Sequence, residues 1–147
     1  AQLMAAAAGV TGQTVEGLIT ETGLGSALFA VKPGDGSARE QAASCQKVLG
    51  GWANIAVEYA TKRYRSNLIN WGMIPFTIDP ADQGRLVVDG LLYIPAIRTA
   101  IRSGAAQVQA YLLPEGLPLW LKIENLSPEE RAIILAGSLI NHYANNR

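Results

Sequence analysis

Residues 32–51, KPGDGSAREQAASCQKVLGG, predict a glycine-rich loop that leads directly into a helix. The loop contains Gly34-Asp35-Gly36, and the helix is expected to begin at Ser37 and to end at Gly50-Gly51. Ser37 can accept a hydrogen bond from the first turn of this helix, and Glu40, three residues later, can return one. This pattern is a capping box, so we predict Ser37 as the helix N-cap.

The start of this helix has the features of an anion-binding site. A helix N-terminus after a glycine-rich turn presents unpaired N–H groups and the positive end of the helix dipole, which favour a carboxylate or phosphate. Arg39 lies in the first turn, where its charge opposes the dipole, so its position is explained if an anion lies beside it. The alternative is an ordinary strand-to-helix loop with a solvated arginine, because such loops are common.

Composition indicates a globular α/β domain without a metal site of its own. The 147 residues suffice for one domain with a substantial core, and 49% are hydrophobic and 16% charged. Lys+Arg and Asp+Glu number 12 each, so no overall charge favours nucleic acid or membrane, and neither is expected as a partner. One cysteine and one histidine, His142, exclude an internal disulfide and a metal site built from these residues alone.

The sequence contains no membrane-targeting feature. No apolar run approaches the ~18 residues of a membrane span, and the N-terminal AQLMAAAAGV lacks the basic segment of a signal peptide. We therefore expect a cytoplasmic location. The sequence does not begin with Met, which suggests a piece of a longer protein, and we divide it into an N-terminal segment, 1–27, without an assigned fold, and a domain, 28–147.

Hydrophobic patterning predicts an α/β domain with strands of mixed direction. The amino-terminal half is expected to alternate buried strands and helices, at 28–31, 38–48, 52–57, 61–71 and 73–78. The carboxyl-terminal half is expected to contain a short helix at 95–102, closed by Gly104, and an antiparallel hairpin of 107–113 and 117–123 around Pro114-Glu115-Gly116.

Two further local signals predict a hairpin turn and a helix start. Asp89-Gly90 is a hairpin-type dipeptide between Val87-Val88 and an apolar run at 91–94. Ser127 begins a strong helix start, an N-cap followed by proline and two glutamates. The last helix is expected to run from there to about residue 143.

Other distinctive side chains fit structural roles. Cys45, in mid-helix, is expected in the core, and His142, near the end of the chain, at the surface. Core or interface packing is expected of the tryptophans, Trp52, Trp71 and Trp120. Lys62, Arg63 and Arg65 are expected to form a solvated basic helix face. A domain interface and RNA binding are the less favoured alternatives.

Three segments match a known pattern in the same order along the chain. Residues 34–43, GDGSAREQAA, resemble a signature Gly-x-Gly-Ser-Ser-Arg-Glu-His-Ala. Residues 64–76, YRSNLINWGMIPF, are similar to a helix with Asn-Leu, a Gly turn and Leu/Ile-Pro-Leu, and residues 136–141, AGSLIN, resemble Ala-Gly-Ser-x-x-Asn. The pattern resembles the C-terminal swivel domain of aconitase-family hydro-lyases. The fold it implies is a swivelling β/β/α domain with a mixed sheet.

The resemblance implies an aconitase-like hydro-lyase, which adds water to or removes it from a hydroxy di- or tricarboxylic acid. In this family a [4Fe–4S] cluster, held by three cysteines on other domains, polarises the substrate, and the swivel domain closes over it. The implied partners are therefore cluster-bearing domains or a large subunit and a small carboxylic acid. No cluster ligand is expected in this chain.

The resemblance also implies a set of site residues. Gly36, Ser37 and Arg39 would contact a substrate carboxylate, Arg39 through a bidentate charge-assisted pair. Asp35 and Asn67 would lie behind them, and Asn67 could hydrogen-bond the loop to hold its shape.

One position departs from the family pattern. Ala38 stands where the signature has the serine that takes a proton from the substrate, and alanine cannot accept a proton. Ser37 is therefore the candidate catalytic residue of this chain, unless the base comes from another domain or the reaction differs, and Asp35 is near enough to be considered. The family's Asp-His-Ile/Thr motif is absent from residues 1–27. The alternative function is a non-catalytic carboxylate- or anion-binding module on the same fold.

Overall fold

The computed structural model describes residues 2–145 and contains a mixed six-stranded sheet. The strands are β1 (Ser26–Ala30), β2 (Gly51–Ala56), β3 (Ile74–Thr77), β4 (Leu91–Tyr93), β5 (Gln107–Leu113) and β6 (Leu117–Ile123). Their order in the sheet is β1-β2-β3-β6-β5-β4. The β1–β2 and β2–β3 pairs are parallel and the others are antiparallel. The predicted α/β class with mixed strand directions is confirmed.

Helices connect the parallel strands and pack on the sheet. They are α1 (Gln2–Thr11), α2 (Val15–Glu21), α3 (Arg39–Val48), α4 (Lys62–Asn70), α5 (Ile97–Ser103), α6 (Pro128–Ala136) and α7 (Leu139–Asn145), with a 3-10 helix at Pro80–Arg85. α3 connects β1 to β2, and α4 connects β2 to β3. Parallel neighbours require such crossovers, so β1-α3-β2-α4-β3 is one continuous unit.

The main core lies between the sheet and helices α4, α5 and α6. Phe76 of β3 and Leu121 of β6 are fully buried, and Ile69, Ile101 and Ile133 come from the three helices. A smaller cluster lies between α3 and α4, where Ala43 packs with Tyr64, Leu68 and Met73.

Several local signals predict their elements correctly. The β5–β6 hairpin has the expected bounds. Thr61 caps α4, and Gly72 follows this helix with a φ of +71°. Ser127 and Glu130 form the capping box of α6.

The first strand is not buried as predicted. β1 lies at the edge of the sheet, and its first three residues are exposed. An edge strand has a hydrogen-bonding neighbour on one side only, and apolar content does not distinguish it from a central strand. β2, the neighbouring strand, is buried except at Trp52, which is half exposed.

Helix α3 turns a different face inward than predicted. Cys45 is exposed, not in the core, and Ala42 and Leu49 on the same face are exposed as well. Ala43 is the residue of α3 that is fully buried. Its small side chain lets α3 lie close to α4, a tertiary contact that the local pattern does not reveal.

Two more predictions are wrong in detail. Gly90 N donates to Val87 O at 3.0 Å, so a turn forms. Val88, however, is 92% exposed and outside any strand, and β4 pairs with β5 instead of forming the predicted hairpin. The last helix is interrupted at Gly137, which has a φ of +88°, so the chain forms α6 and α7 in place of one helix.

A closed triangle of hydrogen bonds joins α3, β2 and α4. Gln46 Nε2 donates to Tyr64 Oη at 2.8 Å, and Tyr64 Oη donates to Asn54 Oδ1 at 3.0 Å. Asn54 Nδ2 closes the triangle by donating to Gln46 Oε1 at 2.5 Å. Asn54 is fully buried, so these bonds replace the water that its amide loses on folding.

Replacing Tyr64 with phenylalanine is expected to lower the free energy of unfolding by about 1–3 kcal/mol. The ring still fills its place, but Asn54 Oδ1 and Gln46 Nε2 each lose a partner in a buried environment. Urea unfolding followed by circular dichroism measures the change. Tyr143→Phe, at an exposed phenol, is the control, and an equal effect of the two substitutions would contradict the prediction.

Candidate functional site

The loops that follow β1 and β2 are joined by backbone hydrogen bonds. Val57 N and Glu58 N both donate to Val31 O at 3.1 Å, and Ala60 N donates to Pro33 O at 2.9 Å. The loops meet because β1 and β2 are adjacent and parallel, which places their carboxyl ends at one edge. In α/β domains this edge is where ligands bind.

Gly34 lies at the centre of this edge. It has a φ of +99°, and a Cβ there would lie 2.5 Å from Tyr64 Cβ, so only glycine fits. Its carbonyl oxygen accepts from Arg39 Nε at 3.0 Å and from Thr61 Oγ1 at 2.9 Å. Arg39 Nη2 also donates to Asp35 O at 3.5 Å. Arg39 and Thr61 therefore hold the loop in its conformation.

Ser37 is not the N-cap of α3, so the predicted capping box is wrong. Ala38 occupies the N-cap without a side-chain hydrogen bond. The Glu40 carboxylate accepts from Trp71 Nε1 at 2.8 Å, a contact with the end of α4, and does not return to Ser37. The first-turn N–H groups of α3 and the exposed Ser37 hydroxyl are therefore open to a ligand.

An open cleft of about 360 Å³ lies between the N-terminal ends of α3 and α4. This volume is at the lower end of the range for small-molecule sites. The cleft is positively charged in a chain whose net charge is zero. It is lined by Ser37, Arg39, Glu40, Lys62, Arg63, Ser66 and Asn67.

The structure brings some of the predicted site residues together. Ser37, Arg39 and Asn67 line the cleft. Gly36 and Asp35 are exposed on the loop beside it and are not part of its lining. The Asn67 side chain makes no hydrogen bond to the loop within the described chain, and the donors to Gly34 O hold the loop instead.

Sequence reasoning missed Lys62 and Arg63 as site residues. Both were expected on a solvated helix face with Arg65, but the first two line the cleft. Arg65 has another role, because it pairs with Glu130 at 3.3 Å and donates to Glu124 O. The sequence offers only the alternation of strands and helices as a signal, and it is the parallel pairing of β1 and β2 that places both helix starts at one edge.

Two ionisable groups near the edge have shifted pKa values. Burial raises the pKa of the Tyr59 phenol far above its ordinary value. The single O–H of neutral Tyr59 lies between two carbonyl oxygens, with Oη 3.1 Å from Asn54 O and 3.0 Å from Phe76 O, and so links β2 to β3. The hydrogen bond to Glu58, together with its charge, raises the pKa of exposed Lys32.

The described residues do not fit an iron–sulfur cluster. Within residues 2–145, no three His, Cys, Asp or Glu side chains are placed to hold a metal ion. The chain has 1 cysteine, whereas a cluster is held by several thiolates.

Within residues 2–145, no helix is long and apolar enough to cross a membrane.

The chain matches known proteins over the segment that builds this site. The mixed sheet, with its glycine loop and open cleft at the carboxyl ends of parallel strands, places the chain in the α/β class, in which ligands commonly bind at that edge. Residues 18–81 match the family described as aconitase C-terminal domain. Over 112 residues the chain is 32% identical to a protein of Aspergillus fumigatus named "Putative aconitate hydratase, mitochondrial". The alignment covers 74% of this chain and 14% of that relative.

These two matches support an aconitase-family C-terminal domain in this chain. The predicted family and the predicted swivel-domain fold are confirmed. The aligned part of the chain spans about a seventh of the length of its relative, 14%. The relative's name includes a mitochondrial location, and the cytoplasmic location of this chain stays a prediction.

Proposed function

We propose that this chain is the swivel domain or small subunit of an aconitase-like hydro-lyase, in which it holds a carboxylate of a hydroxy di- or tricarboxylic acid. The observation that carries the proposal is the position of Arg39 at the start of α3, beside the Ser37 hydroxyl and in a cleft with Lys62 and Arg63. The match to the aconitase family supports the same chemistry.

Arg39 can hold the loop and a ligand at the same time. Its Nε and Nη2 atoms donate to Gly34 O and Asp35 O. The Nη1 group has no hydrogen-bond partner in the described chain, and a guanidinium carries further N–H donors beyond those used. A carboxylate can therefore accept from Nη1 and from the first turn of α3, with the Ser37 hydroxyl as a further donor.

The proton chemistry of the reaction is assigned to Ser37 or to a group outside the described residues, with Asp35 on the neighbouring loop as the alternative within this chain. Ala38 cannot accept a proton, and the Glu40 carboxylate in the cleft is bonded to Trp71. The proposed partner is a cluster-bearing set of domains or a large subunit, whose [4Fe–4S] cluster would polarise the substrate hydroxyl. This chain's own part is to bind and orient the acid.

A non-catalytic carboxylate-binding module is the second candidate, because Ala38 replaces the serine of the family signature. The two candidates differ in one measurable property. Mixed with a cluster-bearing aconitase-like partner, the chain should support hydration of aconitate in the first case. In the second case it should bind the acid without supporting turnover.

Arg39→Gln is expected to weaken citrate binding by about tenfold or more, because it removes a charge-assisted hydrogen bond. Amide chemical-shift titration of the 147-residue chain with citrate measures the affinity, and wild-type shifts should centre on Ser37 and Arg39. Unchanged affinity in the variant would refute the site.

Two controls separate charge from loop shape. Thr61→Val removes the other donor to Gly34 O and the cap of α4 but leaves the charge of Arg39 in place, so it should cost less affinity than Arg39→Gln. Arg102→Gln removes an exposed charge from α5, outside the cleft, and should change nothing. Equal losses from Thr61→Val and Arg39→Gln would show that Arg39 only holds the loop.

A further inference from the structure

We propose that Lys62 and Arg63 are specificity-determining residues of the cleft, which hold a second carboxylate of a ligand whose first carboxylate lies at Ser37 and Arg39. The inference rests on the proposed carboxylate site and goes beyond it, because neither residue belongs to the signature loop. It assigns the preference for a multiply charged acid to the start of α4.

The side chains of Lys62 and Arg63 have no anionic partner in the described chain. Both are exposed and line the cleft. The ion pairs among the described residues involve Lys32, Arg65 and Arg85 instead. A cation that is not paired within the fold can bind a ligand carboxylate without first breaking an internal bond.

Helix α4 does not need these cations for its own stability. Positive charges in a first turn oppose the helix dipole, and the first turn of α4 contains no acidic residue. Thr61 already caps the helix, because its Oγ1 accepts from Tyr64 N at 3.3 Å. The two charges therefore act against the helix, whereas an anion in the cleft would be stabilised by both charges and by the dipole.

Arg39 alone is not suited to neutralise a ligand with several carboxylates. Its Nε and one N–H of Nη2 donate to loop carbonyls, and the N–H groups that remain belong to one planar guanidinium, which suits one carboxylate. The Glu40 carboxylate also faces the cleft but is bonded to Trp71. A second carboxylate is thus best placed beside Lys62 and Arg63, across the cleft from the signature loop.

The test compares two ligands on the 147-residue chain at constant ionic strength. Acetate carries one carboxylate, and tricarballylate carries three and has no hydroxyl group to react. The double variant Lys62→Gln/Arg63→Gln should bind tricarballylate about tenfold or more weakly than the wild type. Its affinity for acetate, followed at the amides of Ser37 and Arg39, should stay within about twofold of the wild type.

A matched control removes one lysine and one arginine elsewhere. Arg102→Gln/Lys122→Gln changes two exposed residues outside the cleft and should leave both affinities unchanged. Since the cleft variant removes charges that oppose the dipole of α4, it should be no less stable than the wild type in thermal unfolding.

The outcomes distinguish this inference from the proposed function. Unchanged tricarballylate binding in Lys62→Gln/Arg63→Gln, together with weakened binding in Arg39→Gln, would overturn the inference and leave the proposed function standing. Equal losses of affinity for acetate and tricarballylate would also overturn it, because Lys62 and Arg63 would then attract any anion by their charge and would not hold a second carboxylate. No binding of either acid by the wild type would overturn both proposals.

Discussion

Replacing Gly72 with alanine is expected to destabilise the domain by about 4 kcal/mol or more. Gly72 has a φ of +71°, and a Cβ there would lie 2.1 Å from Gly137 O, well below the 3.0 Å that real Cβ contacts keep. The atom in the way belongs to the backbone that ends α6, so relief requires α6 to move away from α4. Urea unfolding followed by tryptophan fluorescence measures the loss.

Gly50→Ala separates backbone strain from this helix contact. Gly50 also has a positive φ, +85°, but a Cβ there would have no neighbour within 4 Å. Alanine at this position should cost about 1–2 kcal/mol, the strain of the left-handed conformation alone. If both substitutions cost the same, the close contact between Gly72 and Gly137 does not hold the domain together.

This contact explains two of the three segments on which the family resemblance is based. Gly72 lies in the second segment and Gly137 in the third, and they meet where α4 and α6 end. Asn141 Nδ2 donates to Ala136 O, and Asn141 N donates to Ser138 Oγ, both at 3.1 Å. Asn141 does not line the cleft. The third segment thus shapes the corner between α6 and α7, away from the cleft.

The same capping pattern succeeds at one helix and fails at another. Ser127 and Glu130 bond each other at the start of α6, as the sequence predicts. Ser37 and Glu40 have the same spacing, but the Glu40 carboxylate is taken by Trp71 Nε1, which comes from another helix. A local pattern therefore predicts a local bond only where no tertiary partner competes for the side chain.

The predictable part of the site is likewise its local part. Residues 34–43 indicate the loop, a helix directly after it and the presence of Arg39 in its first turn, because each depends on neighbours in sequence, although the N-cap is Ala38 and not Ser37. Lys62 and Arg63 could not be assigned in the same way, since their place in the cleft depends on how β1 and β2 pair. Thr61 Oγ1 donates a hydrogen bond to Gly34 O, 27 residues away in the sequence. This contact also depends on the tertiary fold and could not be predicted from local sequence.

Gly34→Ala should remove both stability and ligand binding. The added Cβ would lie 2.5 Å from Tyr64 Cβ, at a φ of +99°. Tyr64 cannot move aside easily, because its Oη is bonded to the side chains of Gln46 and Asn54. We expect a loss of about 3 kcal/mol or more in the free energy of unfolding and at least about tenfold weaker citrate binding.

Gly36→Ala is the matched control for this last prediction. Gly36 belongs to the same loop, but a Cβ there would meet nothing within 4 Å, and its φ is not in the left-handed region. Alanine keeps the backbone N–H that could face a ligand, so stability and citrate affinity should both remain close to wild type. Citrate binding retained by folded Gly34→Ala would mean that the cleft does not depend on the loop conformation. A loss confined to Gly34→Ala would show that the bonds of Gly34 O to Arg39 and Thr61 set the geometry in which the acid is held.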